Sequence, residues 1–218
     1  MTTGPVVLDL AVEVEPSEAR RYLGYPDGRL ASPRATRRLD ALWSRALELI
    51  APRGVYALVT RREVAASGMP EPASRVAVAV CTIGPALEVA SDRAAATGEL
   101  LDALVLDAIG SAAAESVADA LNLEICSVAA ARGVEAAARV SPGYGGWDTA
   151  GQRALLALLP IDALGIEVTS GAMMVPRKSV SFAVNLDRPG RGHGRAASGC
   201  ARCGLVRCRH RIAPPDCG

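Results

Sequence analysis

The sequence predicts an α+β domain, and three observations lead there. Segments with period-two alternation are interleaved with segments of helical periodicity, at irregular intervals and with no internal repeat. One of them, Arg75–Thr82, sets Val76, Val78 and Val80 against Ala77, Ala79 and Cys81. With both faces small or apolar, that strand reads as central and buried. A long alanine-rich helical region, from about Glu99 to Ala131, follows it. The chain has 218 residues, half of them apolar, which suits one substantial domain or one domain plus a small appendage. Aromatic residues make up only 3%, so Ala, Val, Leu and Ile must build the core.

In chain order, a first strand is expected over Val6–Val14, where Leu8, Leu10, Val12 and Val14 alternate with acidic residues. Ser17 is placed to cap a short helix running through Tyr22 to Gly24. Ser32-Pro33 is a stronger start, a capping serine followed by proline in the first turn. Beyond it Leu39, Leu42, Trp43, Ala46, Leu47 and Ile50 fall on one helical face, before Pro52 and Gly54. A strand over Val55–Thr60 precedes Arg75–Thr82. Ile83-Gly84-Pro85 then turns the chain into a helix over Pro85–Ala96. In the longer helix Leu101, Leu104, Val105, Ile109 and Ala112 mark the apolar stripe, and Gly133 ends it. Val134–Val140 reads as a strand, Thr149–Leu159 as a short amphipathic helix, and Ile166–Ser170 and Lys178–Leu186 as strands. The Gly, Arg and Pro content beyond Asp187 marks a linker, giving a domain over 1–187, a linker over 188–199 and a tail over 200–218.

Composition excludes several function classes. No apolar run reaches the roughly 20 residues of a membrane span, and Met1–Pro5 lacks a secretory signature. A cytoplasmic location without membrane attachment is the expectation. The net charge of +1 conceals a body at −5 and a region from Arg188 to Gly218 at +6, with seven Arg and one acid. That basic end has no interleaved aromatic residues, which argues against a nucleic-acid role. Lys178 is the only lysine.

The segment Arg139-Val140-Ser141-Pro142-Gly143-Tyr144-Gly145-Gly146-Trp147 leaves a strand and enters a loop with three glycines and a proline. Such a loop lets a ligand approach the main chain closely. Arg139 offers a planar fork for a carboxylate or phosphate, and Tyr144 and Trp147 offer rings for a planar heterocycle. Read alone, the same residues also describe a strand-ending turn beside a surface arginine.

Arg-x-x-Pro-Gly-Tyr, followed by Met173-Met174-Val175-Pro176-Arg177-Lys178-Ser179-Val180-Ser181, resembles the activation domain of cobalamin-dependent methionine synthase. Arg21–Tyr25, Cys81–Glu88, Asp107–Ser111 and Glu115–Asp119 resemble segments of its stand-alone forms, so the resemblance spans roughly residues 17–187. It implies a C-shaped α+β domain with a twisted, mainly antiparallel sheet that binds S-adenosylmethionine along its inner surface. It further implies that the donor is presented to a partner's cobalamin in the cob(II)alamin state. A one-electron donor, flavodoxin-like or ferredoxin, reduces the cobalt before it takes the methyl group. Carried over to this chain, Arg139 binds the donor's carboxylate and backbone groups around Ser141 and Gly143 meet the adenosyl part. Tyr144 lines the site, and Glu115 faces the ammonium or sulfonium charge. Two family contacts are replaced: no acid stands beside Tyr22-Leu23-Gly24, and a tyrosine gives way near Val184. The chain carries no corrinoid, folate or homocysteine module, so the partner is a separate corrinoid-binding methionine synthase or another corrinoid methyltransferase. A sulfonium leaves as a neutral thioether, so no catalytic general base is expected; alignment is the domain's contribution.

Of six cysteines, Cys81 and Cys126 lie in apolar segments. Cys200, Cys203, Cys208 and Cys217 cluster in the basic tail with His210, and in a reducing compartment such clustering points to metal before disulfide. Zinc and an iron–sulfur cluster are both open, as are a redox-active dithiol and a plain tail. His193 and His210 otherwise read as solvated. The competing reading of the whole chain is a corrinoid-docking or electron-transfer module that uses a metal site in the tail and no S-adenosylmethionine.

Overall fold

Small and branched residues alternating along Arg75–Thr82 place it, as expected, inside a four-stranded sheet. The computed structural model describes residues 4–25 and 29–186. In chain order the elements are β1 (Val6–Asp9), α1 (Pro16–Tyr22), α2 (Pro33–Glu48), β2 (Arg53–Thr60), α3 (Arg61–Val64), β3 (Arg75–Thr82), α4 (Ala86–Ala96) and α5 (Leu100–Ala130). Then come α6 (Gly151–Leu156), β4 (Glu167–Val168), β5 (Met174–Val175) and β6 (Ser179–Leu186). The main sheet runs β1-β2-β3-β6 with every pairing antiparallel, and β4 and β5 form a separate two-stranded ribbon. The α+β expectation holds.

The sheet separates two apolar layers. On one face Ala77, Ala79 and Cys81 of β3, with Phe182 and Val184 of β6, lie under α1, α2, α4 and α5. On the other, Val76, Val78 and Val80 meet Trp147, Leu155, Leu156 and Ile166. Small strand residues face a helix rich in buried alanines, Ala108, Ala112, Ala113 and Ala118 among them. Two such surfaces approach closely and pack without large side chains. Val105, Ile109, Leu121 and Ile125 of α5 are fully buried, whereas Leu104, expected in the same stripe, is 61% exposed. The helix is apolar nearly all round at its start, so periodicity alone could not select its inner face.

Boundaries shift where hydrogen bonding dictates. β1 ends at Asp9 and does not reach Val14, because its partner strand begins at Arg53 and Pro52 has no N–H to extend the ladder. Leu10 donates instead to the Pro52 carbonyl (2.9 Å). Helix α1 starts at Pro16 with Glu15 as its cap, not Ser17. Ser32 caps α2 as expected, its hydroxyl accepting from the Ala35 amide (3.2 Å). Thr60 and Glu63 form a capping box that starts α3, a helix the sequence reading missed. The expected helix over Thr149–Leu159 shortens to α6, and the strand over Ile166–Ser170 to β4.

Val134–Val140 is not a strand. It touches the edge of β6 at two isolated bridges, Ala136 with Leu186 and Val140 with Ala183. Four residue steps on one side span three on the other, so the segment carries one residue too many for a continuous ladder. Arg139 sits in that offset stretch.

Candidate functional site

Two backbone bonds fix the edge on which Arg139 lies: the Val140 amide donates to the Ala183 carbonyl (2.9 Å) and the Ala183 amide to the Val140 carbonyl (2.8 Å). Across from it runs α5, whose Glu115 and Asp119 are four residues apart and therefore share a face. Arg139 Nη2 donates to Glu115 Oε2 at 2.7 Å and meets Asp119 Oδ1 at 3.1 Å. Its Cζ stands 5.6 Å from the centre of the Phe182 ring, within cation–π range. The Arg139 side chain is only 15% exposed, while Glu115 and Asp119 are 44% and 58% exposed. Burial works against the guanidinium charge, but Glu115 and Asp119 outweigh it and hold the group above its ordinary range. The arrangement is an anchored cation with two carboxylates open to solvent.

Around this triad the electrostatics are uneven. Burial, with the charge of Glu115 second, pushes the Tyr22 hydroxyl up to about 12. Cys81, beneath on β3, is likewise pushed up to about 12, chiefly by burial, with Arg139 pulling the other way. That thiol is an inert core group.

Beyond Val140 the chain turns twice. Tyr144 N–H donates to the Ser141 carbonyl (3.1 Å), Trp147 N–H to the Tyr144 carbonyl (3.0 Å), and Gly143 N–H to the Trp147 carbonyl (2.7 Å). Gly143 has φ +91° and a Cβ there would lie 3.0 Å from Thr149 Cγ2, so glycine is required. Tyr144 is 54% exposed. Trp147, expected to offer its ring to a heterocycle, does not: it is 2% exposed and its Nε1 donates to the Ser67 carbonyl at 2.7 Å. It anchors the loop to the lower layer. The Gly143 amide, engaged within the turn, is likewise no free donor for a ligand.

The Met173–Ser181 segment enters the same strand edge from its other end. It contains a cis Val175–Pro176 bond. Arg177 pairs with Glu88 (3.2 Å) and Asp92 (2.6 Å) of α4. Lys178 Nζ meets Asp107 (2.7 Å) and Ser111 Oγ (2.8 Å) of α5. Asp107, Ser111, Glu115 and Asp119 thus recur every fourth residue as one polar stripe of α5, carrying a cation at each end. The two motifs meet through β6 and this stripe. Val184 of β6 is wholly buried in the layer that α5 covers.

Sequence reading singled out Arg139 and Glu115, and the fold brings them together. It missed the roles of Asp119, Phe182 and Tyr22, although the four-residue spacing of Glu115 and Asp119 was a usable signal. Two clefts lie elsewhere, one of about 480 Å³ beside Arg34, Arg38, Glu99 and Asp102, the other of about 380 Å³ beside Asp92, Leu104, Asp107 and Arg177; Arg139 lines neither. Among the described residues no group of three or more His, Cys, Asp or Glu is placed to hold a metal. Cys200, Cys203, Cys208 and Cys217, with His193 and His210, lie outside the described residues. No described helix is long and apolar enough to cross a membrane.

No family model matches the chain, and no curated protein does. Among solved structures, the crystal structure of the MetH reactivation domain bound to AdoHcy is similar. The likeness covers 90% of this chain and 84% of that one, with a TM-score of 0.57 and 16% sequence identity. At that identity it shows a shared fold.

Proposed function

We propose that the chain binds S-adenosylmethionine at the Arg139 triad and serves as a reactivation component for a separate corrinoid-dependent methyltransferase of the methionine synthase kind. The observation that carries this reading is the ion triad itself, joined to the Ser141–Tyr144 loop on a fold shared with the MetH reactivation domain. The donor set suits such a ligand. Arg139 turns Nη2 toward Glu115 and Asp119. A ligand carboxylate can take a further guanidinium N–H in a charge-assisted hydrogen bond. Glu115 then faces the ligand's cationic groups, and Tyr144, with carbonyls of the Ser141–Gly143 turn, borders the adenosyl moiety.

A corrinoid on the partner, given an electron by a flavodoxin-like or ferredoxin donor, would supply the nucleophile toward the sulfonium methyl. This chain's residues contribute position. Arg139, held by Phe182 beneath and two carboxylates alongside, fixes the amino-acid end of the donor and leaves the methyl group directed outward. No proton is transferred, since a neutral thioether leaves with the electron pair of the broken carbon–sulfur bond. Domain boundaries near 187 and 199, and a metal at Cys200, Cys203, Cys208 and Cys217, belong to the same proposal as an appended unit.

Reconstitution tests it. A corrinoid methyltransferase stalled in its oxidised form should regain turnover when given this protein, S-adenosylmethionine and a reduced one-electron donor. Arg139→Ala should lower the recovery rate at least about tenfold. Equal recovery without the protein would contradict the proposal.

A further inference from the structure

Arg139–Tyr144 and Met173–Ser181 lie on different elements, and one side chain joins them. Gln152, in the first turn of α6, engages both ends of its amide. Its Oε1 accepts from the Ser181 hydroxyl of β6 at 3.0 Å, and its Nε2 donates to the Ala172 carbonyl between β4 and β5. Ser181 is 3% exposed, so its hydroxyl depends on that partner and not on water. The amide cannot flip without losing both bonds, since oxygen only accepts and nitrogen only donates. Ser181 directly precedes Phe182, whose ring lies under the Arg139 guanidinium. The start of the loop is fixed to β6 as well, through the paired backbone bonds of Val140 with Ala183. Ser181 and Ala183 are two residues apart and share one face of the strand. The chain from Val140 to Gln152 is therefore pinned at both ends to the same short stretch of β6.

We infer that Gln152 is a positioning residue, which holds the Ser141–Tyr144 loop at the spacing from Arg139 that one ligand needs to touch both. The inference rests on the donor-site reading above. Arg139 has its own supports, Phe182 beneath and Glu115 and Asp119 on α5. The loop has a separate one, Trp147 bonded to the Ser67 carbonyl in the lower layer. These two sets of contacts hold the two halves of the site independently of each other. Gln152 sets one against the other, because it ties the far end of the loop to the residue next to Phe182. The same amide holds the turn of the β4–β5 ribbon, so both motifs move as one unit. Without the bridge the loop stays folded on Trp147, but Tyr144 and the turn carbonyls lose their fixed distance from Arg139. A ligand that spans both then meets one end at a time, which lowers affinity and leaves the charge of the site intact.

Calorimetric titration of the full chain with S-adenosylmethionine, with a thermal melt of each variant, tests this in Gln152→Ala, Ser181→Ala, the double variant and Arg153→Ala. Arg153 is the control: it is exposed and donates to the Thr169 carbonyl of the same ribbon. Gln152→Ala and Ser181→Ala should each weaken binding about 3- to 30-fold, and the double variant no more than Gln152→Ala alone. Arg153→Ala should change affinity less than about twofold, even where its melting temperature falls as far. Should Gln152→Ala melt below the assay temperature, Ser181→Ala against Arg153→Ala decides. Unchanged affinity in the folded bridge variants, additive losses in the double variant, or an equal loss in Arg153→Ala would overturn the inference while leaving the donor site standing. A folded wild type that binds no S-adenosylmethionine would overturn the donor-site reading together with it.

Discussion

Gly151 shows how tightly the loop of the candidate site is tied to the fold. A Cβ at this position would overlap the Ser67 carbonyl oxygen and come within 2.6 Å of Trp147 Nε1. Gly151→Ala must therefore break the Trp147–Ser67 hydrogen bond or displace the helix start, at about 2–4 kcal/mol in chemical denaturation. Tryptophan fluorescence should report the loosened ring. Tyr22 and Cys81 give a pH prediction. Both groups are held neutral by the fold, each pushed up to about 12, chiefly by burial. Unfolded, they ionise near pH 10 and 8.5 respectively. Their contribution to stability is therefore complete below about pH 8.5 and is lost as pH climbs toward about 12. Melting temperature should fall steadily above about pH 8.5, and Cys81→Ala should remove the first part of that fall; a flat profile to pH 11 would contradict the assignment. At this scale the sequence was partly legible. Arg139 and Glu115 could be named from a motif. Trp147 could not be sorted from Tyr144, because both are aromatic residues in one glycine-rich loop. Only packing shows that Trp147 points into the lower layer.

Helix α5 carries both the core and the polar stripe, and its two faces make opposite predictions. Leu121 is fully buried beneath the sheet and Leu123 is 71% exposed. Leu121→Ala should cost about 2–5 kcal/mol in denaturant unfolding, whereas Leu123→Ala should stay within about 0.5 kcal/mol. Comparable losses at the two positions would mean that the helix face is wrongly assigned, and with it the placement of Glu115 and Asp119. The extent of α5 was legible because thirty-one residues pass without Pro, and the one Gly inside, Gly110, packs against Leu87 and Lys178. Its inner face was less so, since Leu101, Leu104 and Val105 fit several stripes equally well. Val134–Val140 misled for a related reason. Its residues suit a strand, but the extra residue between its two bridges is a property of the partner edge and leaves no local trace.

The molecule as a whole is one antiparallel sheet between two apolar layers, and its class could be read from the order of helical and alternating segments. Layer assignment of β3 also followed from sequence, because a strand apolar on both faces has few other places to go. The relation between distant segments was not legible from pattern alone: Arg139 reaches α5 only because β6 returns beside β3. If the unit over 1–187 is self-sufficient, a chain ending at Asp187 should keep its melting temperature within a few degrees and keep its ligand affinity. Any iron or zinc measured in the full protein should be absent from the shortened one. Metal retained after truncation would move the site out of the tail.

The central claim is that Arg139 holds the amino-acid end of S-adenosylmethionine, and direct titration calorimetry on the full chain addresses it. Binding should be saturable at one ligand per chain and should be lost in an Arg139→Ala variant whose melt shows a folded protein. Absence of heat from the folded wild type at millimolar ligand, or undiminished binding by Arg139→Ala, would contradict it.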